Sequence, residues 1–525
     1  MTRMVKIDGR CLVCTGYLLI IVPLLVFFFG WMKWYLALLA ALILLFGFFT
    51  LYWSDLAFEK RTLSIPLKHL IAIVALLSFW VLMSGNCGFG YGLEDIPWRN
   101  ALFRDLINYD WPVVYANGSA LAYYFALWLV PALVGKVLGW GAALAALWLY
   151  ETVIVVTAVL LVALLLDARS VSTFWMIAVV FMLWSGLNLV GSAVMEIVGH
   201  NEYGFALNGN EAYCDVFFYG EATNFYYRSN FNVIAEVYNQ MVFWIAVPLM
   251  MLNRRMRSFI YLDVLMVLYS PWALVGLIPF MVFYGVLELR DEKARRLRTR
   301  AGELEGSLPR WTLRQVFSPA NCCGLLVLVP LVIFLYAGVQ LTANGHVTSA
   351  ATGAGSFGFL MVSAFNAYNW MGYVLFVVCE FLVFAALIFK MYRRDPLYWV
   401  TVISLMLIPF IWVGNISGRD FCMDASLPAL FVLMILMMRY LKDDLMGKDL
   451  DFRRLATLVM LTVAFASPLM QMAQDVVQVR YNLTLWTIDE EEKYPYTYEG
   501  QPVDVAANFV AEEPSSTLFF STLAR

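Results

Sequence analysis

The stretch "LVCTGYLLIIVPLLVFFF", residues 12–29, passes from Leu12 to Phe29 without one charged side chain. A helix of about 20 apolar residues spans a hydrocarbon core of roughly 30 Å, so this stretch is long enough to cross a membrane. Arg3, Lys6 and Arg10 precede it in the manner of a secretion signal. No small-x-small cleavage site follows, and Gly30 to Trp34 leads straight into a second apolar segment, which predicts an uncleaved first helix.

Working outward, comparable runs recur near 34–53, 65–84, 140–166, 172–195, 236–252, 322–342, 371–389, 397–413, 427–441 and 455–472. The whole chain is 62% hydrophobic and 14% charged, outside the range of soluble globular domains. The alternating ten-residue pattern of a membrane barrel is absent from the sequence. The expected fold class is all-α, a polytopic transmembrane helical bundle of about 11–13 spans with juxtamembrane or re-entrant helices on its outer face.

Basic clusters set the topology, because Lys and Arg collect on the cytoplasmic side. "NRRMR" (253–257), "LRDEKARRLRTR" (289–300), "KMYRRD" (390–395) and "KDDLMGKDLDFRR" (442–454) are therefore placed inside. With a cytoplasmic N-terminus, three helices put residues 85–119 outside, and an odd number of crossings must then reach "NRRMR". Four apolar segments intervene. Residues 120–138, with Pro131, Lys136 and several aromatics, are the segment expected to lie at the outer interface or to re-enter. Residues 259–287 have basic flanks at both ends, so Pro271 and Gly276 are expected to turn the chain into a hairpin.

The expected organisation is an N-terminal transmembrane hairpin (1–64), a membrane bundle (65–472) and an extracytoplasmic tail (473–525). Exterior segments are 85–119, 196–235, 343–370 and 414–426. Among the 8 cysteines, "CLVC" at Cys11 to Cys14 has metal or redox spacing but no second pair, and reads as packing. Cys87, Cys214 and Cys422 fall in exterior segments, an odd number that argues against a disulfide framework.

Ionisable groups gather in those exterior segments. "GFGYGLEDIPWRNALFRDLINYDWPVVY" (88–115) carries Glu94, Asp95, Arg99, Arg104, Asp105 and Asp110. Pro97 opens an amphipathic juxtamembrane helix with Arg99 and Arg104 on nearly one face. Asp95 reads as a general base, with Asp105 and Asp110 as the alternatives, and the arginines as phosphate ligands. The other reading is a solvated loop paired with lipid head groups. His200 lies between Glu196 and Glu202, without a second His or Cys to complete a metal site, so a divalent cation stays an open possibility. The aromatics of 212–231 suit sugar rings or an interface belt. Arg419 and Asp420 read as a phosphate-binding arginine with its orienting carboxylate, or as a loop ion pair. Glu151 and Glu380, near the middles of two spans, suit an ion pathway or pairing within the bundle.

An acidic first exterior loop at a helix end, followed by amphipathic helices and a non-crossing aromatic segment, resembles the GT-C superfamily of polytopic glycosyltransferases. "LEDIPWRNALFRDL", "LAYYFALWLVPALVGKVLGW" and "RDFCMDASLPALFVLM" (419–434) also look like stretches of a group of uncharacterised bacterial multi-pass proteins. The resemblance covers about residues 65–460. It implies a polyprenyl-phosphate sugar donor at the outer leaflet, Asp95 as the loop base with Asp105 or Asp110 as the fallback, and Arg419 as donor-phosphate ligand; Arg99, Arg104, His200, Glu202 and Asp420 are the further substrate-binding candidates of the residue reading. The chain departs from the pattern in the two helices that precede the span leading into the acidic loop, in the lack of an isolated "DE" pair, and in Asp424 where a basic residue is expected.

The expected function is transfer of a sugar from a polyprenyl-phosphate donor to a glycan, lipid or protein acceptor, by a multi-pass cell-membrane protein in contact with membrane lipids. No nucleotide-binding loop of the G-x-x-x-x-G-K-[ST] type is present in the sequence, and a lipid-activated donor needs none. Nucleic acid is not an expected partner. Two other classes stay open, a transporter or lipid-linked glycan flippase and a non-catalytic envelope assembly protein.

Overall fold

A computed structural model describes residues 3–89, 95–198, 227–298, 307–343, 357–359, 367–413, 419–446, 451–484, 496–501 and 509–525. It is a helical bundle. Among the described residues nine helices are long and apolar enough to cross a membrane, and a bent pair makes up to 10.

The chain opens with strand β1 (Met4–Asp8), then α1 (Gly9–Trp31) and α2 (Trp34–Ser54). Strand β2 (Thr62–Pro66) pairs antiparallel with β1, Val5 opposite Ile65, and closes the N-terminal hairpin. Asp8 caps α1 by accepting from the Arg10 N–H at 2.8 Å. One face of α1, from Leu12 and Val13 through Leu24 to Trp31, belongs to the main core. The face holding β1, β2 and the α2 exit is called the N-terminal face below.

Helix α3 (Leu67–Leu82) runs away from that face and leads to α4 (Asp95–Asn108). After strand β3 (Ala120–Leu121), α5 (Ala126–Leu138) turns at Gly139, φ +84°, into α6 (Trp140–Leu165). Both ends of α5 stay at the opposite face. Ala122 N–H donates to Phe509 O in the tail at 2.8 Å, and Lys136 Nζ donates to Ile107 O at 3.3 Å. Residues 120–138 hold only the 13-residue α5, shorter than the helices counted above as long enough to cross. Helix α6 returns to the N-terminal face, where Leu164 packs against Gly9.

Next come α7 (Val171–Leu183), α8 (Asn188–Val198), α9 (Asn230–Glu236) and α10 (Phe243–Asn253). A single helix was expected over 236–252. Instead α9 and the run Tyr238–Asn253 meet at 114°, a broken span wholly inside the bundle. Helix α11 (Phe259–Met266) and α12 (Pro271–Arg298) form the expected hairpin, with both outer ends at the N-terminal face: Met256 N–H donates to Glu288 there at 2.7 Å. The turn lies at Val267 to Ser270, ahead of the predicted 269–276. Pro271 starts α12, as suits a residue without an N–H. Gly276 sits within α12, where a Cβ would come within 2.1 Å of Ala425 O, so it serves close helix approach rather than turning.

Helix α13 (Leu308–Val316) is amphipathic with no buried residue, and α14 (Pro319–Ala343) crosses to the far face. Strand β4 (Phe357–Phe359) is followed by α15 (Ala367–Val377), which continues through a π-helical turn, Val378–Leu382, into α16 (Val383–Tyr392). Helix α17 (Pro396–Leu407) leads to strand β5 (Ile411–Val413), the antiparallel partner of β4. The order ends with α18 (Arg419–Ala425), α19 (Leu427–Tyr440), α20 (Phe452–Thr484) and strand β6 (Val510–Ala511). Helix α20 runs past the predicted end at 472.

The tail does not hang free. Strand β6 pairs with β3, Tyr498 stacks on Phe509 at 4.6 Å, and Phe519 packs on Phe334 at 5.0 Å. Lys33 N–H donates to Leu523 O and Arg525 N–H to Trp31 O, each at 3.0 Å. This surface is the tail face.

Candidate functional site

Segment 227–240 gathers the polar interior of the protein. Ser229 caps α9 by accepting from the Asn232 N–H at 2.9 Å. Asn230, Asn232 and Glu236 then occupy a helix buried on every side, so each must find a protein partner. Asn230 Nδ2 donates to Phe181 O at 2.7 Å and Asn232 Nδ2 to Glu236 Oε1 at 2.7 Å.

Arg228 holds the charges together. Its Nη1 donates to Asn232 Oδ1 at 2.7 Å and pairs with Glu236, while its Nε lies 3.9 Å from Asp424 Oδ1 on α18. All three charged side chains are buried. Among the described residues, Glu236 and Asp424 thus both lie against the Arg228 guanidinium inside the bundle.

The acidic exterior stretch enters the same region through Arg99. Its Nη1 donates to Asn239 Oδ1, and its guanidinium stands 5.8 Å from the Tyr238 ring. Tyr238 accepts from Trp128 Nε1 at 3.1 Å, Asn239 Nδ2 donates to Tyr269 O at 3.3 Å, and Ser270 Oγ donates to Gln240 Oε1 at 2.5 Å. Tyr123 and Tyr124 stack at 3.9 Å. Burial pushes the Tyr124 hydroxyl well up, with Tyr123 and Asp424 adding to the rise and Arg99 opposing it, so this phenol bridges the two charge groups.

Glu151 reaches the segment from α6. Asn86 Nδ2 donates to both its carboxylate oxygens, at 3.1 and 2.9 Å, and to Ile234 O at 3.1 Å. Cys87 lies under the same carboxylate at 3.5 Å and is buried rather than exterior. Glu151 is thus paired within the bundle. Glu380 is also buried, in the π-helical turn, which presses it onto the break between α7 and α8: a Cβ on Gly186 would lie 2.2 Å from its Oε2.

Three sequence candidates take structural places. Asp105 is buried and accepts from Tyr115 Oη at 2.7 Å, Thr497 Oγ1 at 2.5 Å and Tyr498 N–H at 2.9 Å. Its two oxygens are held by the tail, which fits a clamp rather than a base. Arg104 stacks between Trp140, 4.8 Å away, and Tyr496, 4.4 Å away. Asp110 is exposed.

Asp95 is the first residue of α4 and Arg419 and Asp420 open α18, but their side chains lie outside the described residues, as do His200 and Glu202 entirely. The sequence reading counted Arg228 among the charges of segment 196–235 without giving it a role, and missed Glu236 and Asn239. Their signal was the density of Asn, Gln and charge in "RSNFNVIAEVYNQ" directly before an apolar run. No group of three or more His, Cys, Asp or Glu poised for a metal occurs among the described residues. No family model, curated protein or solved structure matches this chain.

Proposed function

We propose that the protein is a membrane glycosyltransferase that moves a sugar from a polyprenyl-phosphate donor to an acceptor at the tail face, which is the outer face of a cell membrane. The observation that carries this reading is the entry of Arg99, from the acidic helix α4, into the buried polar segment 227–240, where it donates to Asn239 and stands 5.8 Å from the Tyr238 ring. An amphipathic helix that begins at Asp95 and delivers an arginine to a polar, water-poor interior one turn later suits a phosphate-bearing lipid.

In the proposed reaction the acceptor hydroxyl oxygen attacks the anomeric carbon of the donor. The bond between that carbon and the phosphate oxygen breaks, the electron pair leaves with the polyprenyl phosphate, and the hydroxyl proton passes to Asp95. Arg99 and Arg228 contribute the positive potential that favours the departing phosphate. Stacked Tyr123 and Tyr124 offer an aromatic face for the sugar.

The test is transfer from a defined polyprenyl-phosphate sugar by the purified protein. Asp95→Asn and Arg99→Gln are expected to lower the rate at least 100-fold, with Glu151→Gln largely active. Full activity in Asp95→Asn with loss in Glu151→Gln overturns the reading. That outcome supports a transporter or flippase, the second reading, which the 114° break beside Glu151 favours because discontinuous helices form substrate sites in transporters.

A further inference from the structure

The N-terminal face carries a cleft of about 620 Å³ that plays no part in the proposed reaction. One wall comes from the turn after α10, where Arg254 adopts a left-handed φ of 56° and caps the helix by donating its N–H to Met250 O at 2.8 Å. This turn lines the cleft with Arg254, Arg255 and Arg257. The other wall is the end of α12, and the rim includes Leu56 and the α13 residue Trp311.

The charges do not cancel. On the α12 wall Glu292 is taken by Arg295 and Arg296, each at 2.7 Å, and Glu288 accepts the Met256 N–H. Asp291 is exposed beside Arg290 at 3.7 Å. Asp55, behind the arginines, accepts the Ala57 N–H. Four arginines, Arg254, Arg255, Arg257 and Arg295, thus line the concavity against three carboxylates, with Glu288 and Asp55 facing Arg255 and Arg257, and the surplus guanidinium suits an anion with several acceptor oxygens.

The rim says which anion. Helix α13 buries nothing in the protein, and Leu313 and Phe317 are each 56% exposed. An amphipathic helix with Trp311, Leu313 and Phe317 beside a membrane bundle rests in the head-group layer. We infer that this cleft binds the phosphate of an anionic phospholipid from the leaflet at the N-terminal face, with Arg255 and Arg257 on the head group and Trp311 against its glycerol region. Basic pockets between membrane helices take lipid head groups in this way.

The test uses the full chain in zwitterionic nanodiscs, titrated with phosphatidylglycerol and read by native mass spectrometry and by thermal unfolding. Saturable binding of one phosphatidylglycerol, weakened at least tenfold in Arg255→Gln/Arg257→Gln, preserved in Arg255→Lys/Arg257→Lys and unchanged in Arg310→Gln, is the expected result. Equal retention of phosphatidylcholine, or undiminished binding by the folded glutamine variant, overturns the proposal. Displacement by low-millimolar inorganic phosphate also overturns it, in favour of a soluble anion. Should the glutamine variant not fold, salt decides with the wild type: binding must fall steeply between low and high ionic strength, and salt-independent binding overturns the proposal. None of these readouts involves sugar transfer, so their failure leaves the glycosyltransferase reading where it stood.

Discussion

The Tyr498 backbone N–H donates to Asp105 Oδ2 at 2.9 Å, joining residues 393 apart in the chain. With Thr497 Oγ1 and Tyr115 Oη on the same carboxylate, this contact ties the tail over α4. Hydrogen bonds to a charged group contribute about 1.5–3 kcal/mol each. Asp105→Ala is expected to release residues 496–525 with little change in the bundle. Limited proteolysis should then cut the tail at least tenfold faster, and hydrogen exchange should rise at Tyr498 and Val510 first.

The same pair sets a pH response. Burial raises the Asp105 carboxyl above its ordinary value, against the three donors, with Glu499 adding to the rise. A raised acid contributes stability that is full below its unfolded pKa and is lost as pH climbs through the folded one. Glu499 has the opposite sign, held down by Tyr109 and the Ala116 N–H, and its contribution is lost only when pH falls below the ordinary glutamate range. Tail protection should therefore strengthen as pH drops from neutral toward the ordinary aspartate range and weaken below it. Asp105→Asn should remove the first limb and keep the second, as read by exchange rates across a pH series.

At the N-terminal face Asp55 is pushed up to about 7, by burial first, against the Ala57 N–H, Ser258, Arg255 and Arg257. Tyr17 is the other titratable group it senses. Stability from this group is present below the ordinary aspartate range and falls by up to about 1.4 kcal/mol per pH unit until pH passes about 7. Thermal unfolding of the wild type should shift downward across that window. Asp55→Asn should flatten the shift.

Asn86 is expected to be worth more than its size. Asn86→Ala removes the donor that both Glu151 oxygens and Ile234 O share, leaving a buried carboxylate without it, at a cost of roughly 3 kcal/mol. Glu151→Gln should be milder. Adding Glu151→Ala to Asn86→Ala should cost less than the sum of the single changes in detergent unfolding experiments.

Gly276→Ala should force α12 from α18, because its Cβ would meet Ala425 O at 2.1 Å and that atom belongs to the backbone. A loss of about 1–3 kcal/mol is expected. Cys422, 2% exposed, should become reactive to maleimide. Gly141→Ala, with nothing within 4 Å of its Cβ, is the neutral control.

The spans were legible because a run such as 12–29 states its length and polarity directly, and the basic clusters fixed parity. The placing of 120–138 at the outer interface rested on that parity together with Pro131, Lys136 and the aromatics of the segment. The break between α9 and α10 was not legible, since "NFNVIAEVYNQ" looks like loop until Phe181, Asn86, Tyr269 and Ser270 are seen to satisfy it. The acids of 94–110 looked alike in sequence. What separates Asp105 is Tyr498 and Thr497, whose approach depends on a tail almost 400 residues on, about which local pattern carries no information.

The return of the tail also has a schedule. Chains are delivered from the ribosome in order, at about 5–20 residues per second. Trp31 and Lys33 acquire their partners Arg525 and Leu523 only after every intervening helix has been made. Through biosynthesis the places on α4, β3 and the α1 exit that hold residues 496–501 and 509–525 therefore stay unfilled until the helices between them have been made. A chain truncated after α20 keeps every span and lacks those contacts, which makes truncation after Thr484 a means of isolating the uncapped protein.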